Sequence, residues 1–294
     1  MKMKSKSLDG KVIKIVSNRY TVRGEDGKEY RAFARGKLRL QGDIYVGDDV
    51  KIVFERGDAI IDVVKPRTNQ LVRPFVANVD SALIVIAKEP EPDMLLIDKI
   101  IVNCHLEGIT PVLLYNKADL ATQEEIDNAF APYKEYIDCV TLSALEKKGL
   151  EDLKPYIEGK VVCFAGQSAV GKTSLLNAIL DLNLKTDGLS AKIKRGKNTT
   201  RHVEIYSALG GDIMDTCGFS MLSIVSINPE DLTYYYEDFM PYQDKCRFKS
   251  CTHTEEPDCA VKQAVERGEI SKERYERYLA IYEEIKEHKR RLYD

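Results

Sequence analysis

Hydrophobic and polar positions alternate in short segments over the first quarter of the chain. Residues 11–65 contain KVIKIVS, RYTVR, EYRAFA, DVKIVF and AIIDVV, which are rich in β-branched residues and are separated by turns such as Asp26-Gly27. Five short strands without a convincing helix predict a small barrel. An OB-fold fits this pattern, which does not separate it from an SH3-like barrel. Pro66 and the polar run RTNQ then mark a linker.

From about residue 75 the hydrophobic pattern becomes that of a parallel sheet. Apolar strands are predicted at SALIVIA (81–87), PVLLYN (111–116) and VVCFAG (161–166). Helical stretches are predicted at 93–107, 123–135 and 173–181. This alternation predicts a doubly wound α/β sheet, which a more polar β-region, HVEIYSAL and GDIMD, continues.

After about residue 230 a predicted helical segment leads into a Cys/His cluster and then into a long amphipathic helix. In SKERYERYLAIYEEIKEHKRRL, large apolar side chains recur at helical spacing, which indicates core packing. They are Tyr275, Tyr278, Leu279, Tyr282 and Ile285. We therefore predict an N-terminal all-β OB-fold barrel at 1–68, a central α/β domain at 69–230 and a C-terminal, mainly α domain at 231–294.

Composition and charge narrow the class of protein. The chain has 294 residues, of which 44% are apolar, so it can bury a substantial core. No apolar run approaches the ~18 residues of a membrane span, and no apolar segment follows the basic start MKMKSKSLDGK. We expect a soluble cytoplasmic monomer with no membrane partner. Residues 1–70 carry 16 Lys and Arg against 10 Asp and Glu, which is compatible with an RNA-facing module or with ordinary surface variation.

A phosphate-binding loop is predicted where GQSAVGKT (166–173) matches G-x-x-x-x-G-K followed by Ser or Thr. The segment follows a predicted strand and opens a predicted helix, as the motif requires. Its glycines let backbone N–H groups surround phosphates, and the helix N-terminus adds positive partial charge. Lys172 can reach the β- and γ-phosphates, and the Thr173 hydroxyl can bind Mg²⁺. The loop itself consists of Gly166, Gln167, Ser168, Ala169, Val170 and Gly171.

Two further segments supply residues that Mg²⁺ and a γ-phosphate need. Asp215 and Gly218 belong to DTCG, a D-x-x-G motif whose Asp can hold Mg²⁺ through water and whose Gly N–H can sense the γ-phosphate. In KIKRGKNTTRH (192–202), Thr199 and Thr200 are both candidates for the switch threonine, and Thr200 is slightly preferred. The basic side chains of this segment can be solvated or can contact an RNA backbone.

A guanine-binding site is predicted at NKAD (116–119), which matches the N-K-x-D signature of GTPases. The Asp119 carboxylate can accept from guanine N1–H and the 2-amino group together, and adenine lacks this pair of donors. Asn116 can buttress the loop and contact N7, while the Lys117 stem can cover the base. Ser143 and Ala144, after the short CVTL strand, fit the loop whose backbone N–H meets guanine O6.

The order of these motifs differs from that of a Ras-like chain, in which the phosphate loop comes first and N-K-x-D and S-A come last. Here NKAD (116) and SA (143) precede the phosphate loop (166), TT (199) and DTCG (215). The cyclic order is preserved and only the starting point has moved, so the same sheet can form with its chain ends elsewhere. The sequence therefore predicts a circularly permuted P-loop GTPase whose segment after D-x-x-G runs into the C-terminal domain.

The Cys/His cluster has the composition of a structural metal site. Cys246, Cys251, His253 and Cys259 offer three thiolates and one imidazole, the Cys₃His set of structural zinc. Such a site can fix a loop-rich segment that lacks its own core. The spacing is not that of a standard zinc finger, so three free cysteines beside a surface His are the alternative.

These segments together resemble the ribosome small-subunit-dependent GTPase A family (RsgA, also YjeQ). The match covers nearly the whole chain and includes PFVANVD, NKAD, GQSAVGKTSLLN, RGKNTTRHVE, DTCGF and CRFKSCTHTEEPDCAV. The resemblance implies an OB-fold, a permuted GTPase domain and a zinc domain, with GTP hydrolysis stimulated by the small ribosomal subunit late in its maturation. It implies GTP or GDP with Mg²⁺, one zinc ion, and the subunit with its rRNA as ligands and partners. By position it assigns the base to Asn116, Lys117, Ala118 and Asp119, phosphates to residues 166–173 and Ser174, and zinc to Cys246, Cys251, His253 and Cys259.

No side chain is assigned as the catalytic base. Ras orients its water with a Gln just after D-x-x-G, and here that place is Phe219, which can neither orient nor deprotonate water. We therefore predict slow intrinsic hydrolysis and dependence on a partner, with His202 as a minor catalytic candidate. Two other hypotheses stay open: a GTPase that serves another RNA or protein partner through a generic OB adaptor, and a non-catalytic RNA-binding protein.

Overall fold

Strands dominate the first part of the chain and helices the last. The computed structural model describes residues 7–40, 42–72, 75–186, 203–215 and 227–293. The strands are β1 (Ser7–Val16), β2 (Arg19–Gly24), β3 (Glu29–Ala34), β4 (Asp49–Glu55), β5 (Asp58–Val64), β6 (Gln70–Val72), β7 (Phe75–Ala77), β8 (Ser81–Ile86), β9 (Thr110–Tyr115), β10 (Asp138–Thr141), β11 (Val161–Ala165), β12 (Glu204–Ala208) and β13 (Gly211–Asp215). The α-helices are α1 (Met94–Leu106), α2 (Gln123–Phe130), α3 (Lys154–Ile157), α4 (Lys172–Thr186), α5 (Met240–Gln243), α6 (Ala260–Glu266) and α7 (Lys272–Tyr293).

The described residues form two units. The first contains residues 7–82, 150–164 and 172–215, and the second contains 83–149, 165–171 and 227–293. The N-terminal barrel, the central α/β region and the C-terminal helical region confirm the predicted fold class. The domain boundaries at 1–68, 69–230 and 231–294 stay a prediction. No helix in the described ranges has both the length and the apolar character that crossing a bilayer requires.

In the first unit, β1 to β5 form the predicted barrel. Their order is β1-β2-β3-β5-β4, and β4 returns to pair antiparallel with β1 at Asp9 and Lys51. β3 and β5 are parallel, whereas the other barrel pairs are antiparallel. This order is that of an OB-fold, a five-stranded Greek-key barrel. The inward positions of the alternating pattern, including Val12, Val22 and Ile52, are fully buried.

The same unit extends the barrel into a second group of strands. β1 pairs with β12 at Lys14 and Glu204, β12 pairs antiparallel with β13, and β13 pairs parallel with β11. The Lys14 ammonium also meets the Glu204 carboxylate at 2.9 Å. β1 therefore belongs both to the barrel and to the α/β sheet.

In the second unit, the strand order is β10-β9-β8, and β9 and β10 are parallel. The predicted alternation of strands and helices is confirmed there, with one boundary corrected. α2 was predicted to reach residue 135 but ends at Phe130. Pro132 lacks the N–H that the next helical turn would need.

The C-terminal part of the second unit has its own core. Tyr236, Phe239 and Tyr278 are fully buried, and the Phe239 and Tyr278 rings lie 4.9 Å apart, centroid to centroid. The predicted apolar stripe of α7 packs against this core, so its assignment to core packing is confirmed.

Arg67 connects the linker to the barrel through a buried carboxylate. Asp48 is fully buried and accepts from Arg67 Nε (2.7 Å) and Nη2 (2.9 Å) and from the Tyr45 backbone N–H (2.7 Å). We expect Arg67→Ala to destabilise the first unit by about 3 kcal/mol, because it leaves a buried carboxylate without its cation. The check is the midpoint of urea unfolding followed by circular dichroism, with Arg31→Ala on the exposed face of β3 as control. Equal midpoints for the two variants would contradict the expectation.

Candidate functional site

The predicted phosphate loop connects β11 to α4, in the strand–loop–helix context that its motif requires. Gly166 and Gly171 have φ values of 113° and 97°, a region that L-residues avoid. A Cβ at Gly166 would lie 2.3 Å from the Val85 carbonyl oxygen, and one at Gly171 would lie 2.4 Å from Asn116 Nδ2. Only glycine fits either position. Lys172, Thr173 and Ser174 form the first turn of α4, where a helix N-terminus favours anions.

Asn116 joins three of the predicted segments. Its side chain is 1% exposed, its Nδ2 donates to the Val170 carbonyl (2.9 Å), and its Oδ1 accepts from the Ala144 N–H (3.1 Å). NKAD, the phosphate loop and the SA loop therefore meet at one amide. The sequence predicted that Asn116 buttresses a loop, but it did not identify these two partners.

Lys117 forms a second link between the same segments. Its backbone is left-handed, with φ at 60°, and its Nζ donates to the carbonyls of Glu89 (2.7 Å) and Ala169 (2.9 Å). The Lys117 side chain thus lies beside the phosphate loop.

Asp119 and Ser143 are also brought together. Asp119 is exposed in the short 3-10 helix Ala118–Leu120, and one of its carboxylate oxygens accepts from the Ser143 hydroxyl at 2.5 Å. This hydrogen bond orients the carboxylate. Leu145, which is 83% exposed, follows the SA loop and offers an apolar surface that was not predicted from the sequence. The Ala144 N–H already donates to Asn116, so a contact with guanine O6 would share that donor.

Of the predicted magnesium and switch residues outside the phosphate loop, Asp215 lies in the described part of the chain. It ends β13 and is 9% exposed. β13 and β11 are parallel, with Met214 opposite Cys163, so Asp215 is level with Phe164 near the carboxyl end of β11. Thr199, Thr200, His202, Gly218 and Phe219 lie outside the described residues.

The four predicted metal ligands converge in the C-terminal region. Their donor atoms all lie within 4.8 Å of one another. The Sγ atoms of Cys246 and Cys259 are 3.9 Å apart, and His253 Nδ1 is 3.6 Å and 3.3 Å from these two sulfurs. Tetrahedral zinc, with its usual bonds to sulfur and nitrogen, would place sulfurs about 3.8 Å apart and nitrogen about 3.5 Å from sulfur. The spacing of Cys246, His253 and Cys259 therefore fits a tetrahedral ion, and Cys251 is near enough to supply the fourth ligand.

Burial controls the protonation of this cluster. It raises the pKa of the Cys251 thiol to about 12 and lowers the pKa of His253 to about 4. The imidazole is thus neutral, as a ligand must be, and the Cys251 thiol needs a cation to ionise. Burial also acts against ionised Glu256, but backbone N–H groups of Thr252 and Thr254 outweigh it and hold its pKa at about 2.

A buried polar network in the second unit was not predicted. Asp98 of α1 is fully buried and accepts from Tyr133 (2.8 Å), Arg274 (2.7 Å) and Arg277 (2.5 Å), and Arg274 also donates to Asp238 (3.0 Å). Burial opposes the charged guanidinium of Arg274, yet the two carboxylates outweigh it and raise its pKa. In the sequence, the signal for this network was a charged residue, Asp98, inside the apolar run LLIDKII. That signal does not reveal the partners of Asp98.

The comparisons with known proteins agree with the motifs described above. The RsgA GTPase family profile matches residues 64–225. The small ribosomal subunit biogenesis GTPase RsgA of Caldanaerobacter subterraneus subsp. tengcongensis is 42% identical over 293 residues, covering 97% of this chain and 98% of that protein. The protein of the same name from Geobacillus sp. (strain WCH70) is 41% identical over 291 residues, covering 96% and 99%.

Two solved structures are similar over nearly the whole length. YjeQ from Thermotoga maritima has a TM-score of 0.82 at 36% identity and covers 95% of this chain and 99% of that chain. YloQ, described as a circularly permuted GTPase, has a TM-score of 0.80 at 33% identity and covers 96% of each. Together with NKAD and SA preceding the phosphate loop, these matches show that the chain belongs to the RsgA (YjeQ) family of circularly permuted GTPases.

Proposed function

We propose that this GTPase binds the small ribosomal subunit and its rRNA, and hydrolyses GTP in a subunit-stimulated way during late maturation of the subunit. The curated relatives are small ribosomal subunit biogenesis GTPases that align over nearly the full chain. The observation that best supports nucleotide binding is the buried side-chain amide of Asn116, which bonds both Val170 and Ala144. We also propose a cytoplasmic monomer with domains at 1–68, 69–230 and 231–294.

Guanine selection is proposed to rest on Asp119. Its exposed carboxylate, oriented by Ser143, can accept from N1–H and the 2-amino group of guanine. Lys117 lies against Ala169 and can cover one face of the base. An adenine base would leave the carboxylate without donors, which penalises the wrong nucleotide. The proposed guanine site is Asn116, Lys117, Ala118, Asp119, Ser143 and Ala144.

Phosphates are proposed to bind at the backbone N–H groups of residues 166–171 and at the start of α4. Lys172 supplies positive charge, and Mg²⁺ that accompanies GTP neutralises charge on the β- and γ-phosphates. Thr173 and Asp215 are the proposed magnesium residues. Thr199, Thr200 and Gly218 complete the switch set on the basis of sequence, and His202 stays a minor catalytic candidate.

Zinc is the proposed ion of the Cys₃His cluster. Cys246, Cys251, His253 and Cys259 would hold it, and zinc would stabilise the Cys251 thiolate, which burial otherwise keeps protonated. A closed set of four protein ligands leaves no position for a reacting water, so we propose a structural role.

The barrel is the proposed RNA-facing surface. Phe33 on β3 is 45% exposed, and Arg31 is exposed two residues away on the same face of the strand. An exposed aromatic ring beside a guanidinium is typical of nucleic-acid surfaces on OB-folds, because bases stack on the ring and phosphates pair with the cation.

Replacement of Asp119 tests guanine selection. We expect Asp119→Asn to lower GDP affinity on the order of 100-fold, since two hydrogen bonds to a charged acceptor are weakened. The same variant should bind xanthosine diphosphate more tightly than the wild type does, because the new amide can donate to the 2-oxo group. Fluorescence titration measures both affinities. Asp127→Asn, on the exposed face of α2, is the control. Unchanged GDP affinity in Asp119→Asn would remove Asp119 from the site.

Addition of small ribosomal subunits tests the partner. The isolated protein should turn over GTP slowly, and subunits should raise the rate at least about tenfold, which is 1.4 kcal/mol of barrier. Lys172→Ala should abolish turnover in both conditions, while Lys134→Ala, an exposed lysine elsewhere, should not. Phosphate release and co-sedimentation with a GTP analogue measure the two effects. Rapid hydrolysis without subunits, or no co-sedimentation, would favour another partner.

Elemental analysis tests the metal. We expect one zinc per chain in the purified protein, and a loss of zinc in Cys251→Ser with a lower thermal midpoint for the C-terminal region. Cys139→Ser, outside the cluster, is the matched control and should keep its zinc. A wild-type protein without metal would be incompatible with a structural zinc site.

A further inference from the structure

Gln167 in the phosphate loop contacts the segment that precedes α1. Its Oε1 accepts from the Asp93 backbone N–H (2.8 Å), and its Nε2 donates to the Glu91 carbonyl (3.1 Å). Asp93 is the N-cap of α1, where its own carboxylate accepts from the Leu96 N–H (3.0 Å). One side chain of the phosphate loop therefore fixes the backbone at which α1 begins.

From this point α1 runs into the C-terminal core. Asp98 binds two guanidinium groups of α7, those of Arg274 and Arg277, and Arg274 is only 4% exposed. Farther along α1, Val102 is buried in the same core as Tyr278 of α7. A buried carboxylate shared by two arginines, together with apolar packing, holds α1 and α7 in one relative position.

α7 in turn contacts the segment that carries the metal ligands. The Tyr275 hydroxyl donates to the His253 carbonyl (2.7 Å), and the Tyr278 hydroxyl donates to the Thr252 carbonyl (2.6 Å). His253 has a left-handed backbone, with φ at 58°, so the donor on its carbonyl helps to hold an unusual conformation. Direct contacts thus run from the phosphate loop through Gln167, α1 and α7 to a metal-ligand segment.

We propose that Gln167 is a positioning residue that links nucleotide occupancy of the phosphate loop to α7 and the metal-ligand segment through α1. Phosphate binding restrains the loop, and Gln167 passes this restraint to residues 91–93 and the N-cap of α1. Asp98 is the fifth residue of α1 and lies about 8 Å along the helix axis from the Asp93 N-cap, so the contact with α7 is close to the end of α1 that Gln167 contacts. The inference rests on the phosphate-loop role proposed above. Linkage also requires the reverse effect: changes at α7 alter nucleotide affinity.

Hydrogen exchange of the full-length, metal-containing protein tests this coupling. In the wild type, saturating GDP should slow amide exchange in Lys272–Tyr293 by about fivefold or more. In Gln167→Ala, at a GDP concentration that saturates the variant, exchange in this helix should stay at its GDP-free rate. Gln123→Ala is the matched control, because this exposed glutamine bonds Asp127 within α2, and it should respond as the wild type does.

A second variant addresses the other end of the path. Arg277→Met keeps an apolar stem but removes the Nε contact to Asp98, and it should lose the GDP response of α7 while still binding GDP. The Arg277→Met variant tests the coupling if Gln167→Ala binds GDP too weakly to be saturated. Wild-type protection that persists in the variants, or no protection in the GDP-bound wild type, would overturn the coupling. Failure of the wild type to bind GDP would instead refute the phosphate-loop role itself.

Discussion

The amide of Asn116 is the contact on which the candidate nucleotide site depends. It is buried, it uses both its donor and its acceptor, and it ties the phosphate loop to the loop of Ser143 and Ala144. It also explains Gly171, because any Cβ there would collide with Nδ2. A hydrogen bond requires proximity but no chain order. Asn116 therefore makes these contacts although it precedes Val170 by 54 residues, whereas in a Ras-like chain it would follow the loop.

The C-terminal region depends on two buried polar centres. One is the Cys₃His cluster, whose four donor atoms converge and in which the spacing of Cys246, His253 and Cys259 fits a tetrahedral ion. The other is Asp98 with its two arginines. Removal of the carboxylate, or of both guanidinium groups, would leave a buried charge unpaired. Such networks add less net stability than their contacts suggest, because the charges lose their hydration, but they define one packing arrangement. Both centres contact α7, the first through Tyr275 and Tyr278 and the second through Arg274 and Arg277.

Local patterns predicted much of this molecule, and long-range contacts account for what they missed. The phosphate loop and NKAD could be identified because a turn, a strand end and a helix start fix residue types over a few positions. The partners of Asp98 could not, since Arg274 is 176 residues away and nothing in a periodic pattern reports such a pairing. The partners of Gln167 were missed for the same reason. α2 ends at Phe130 because Pro132 follows. This proline is a local signal, but the prediction of a helix to residue 135 relied on hydrophobic periodicity alone.

The double membership of β1 has a consequence for the order of folding during synthesis. The barrel strands all lie within residues 7–64, so the barrel can close soon after that segment leaves the ribosome. The Lys14–Glu204 pairing, however, joins residues 190 apart. At ordinary translation rates the β12 partner emerges roughly 10–40 s later. During that interval β4 already pairs with residues 7–11 of β1, but the edge of the strand near Lys14 has no partner, and a nascent barrel must keep this part of the edge from other chains until β12 is made.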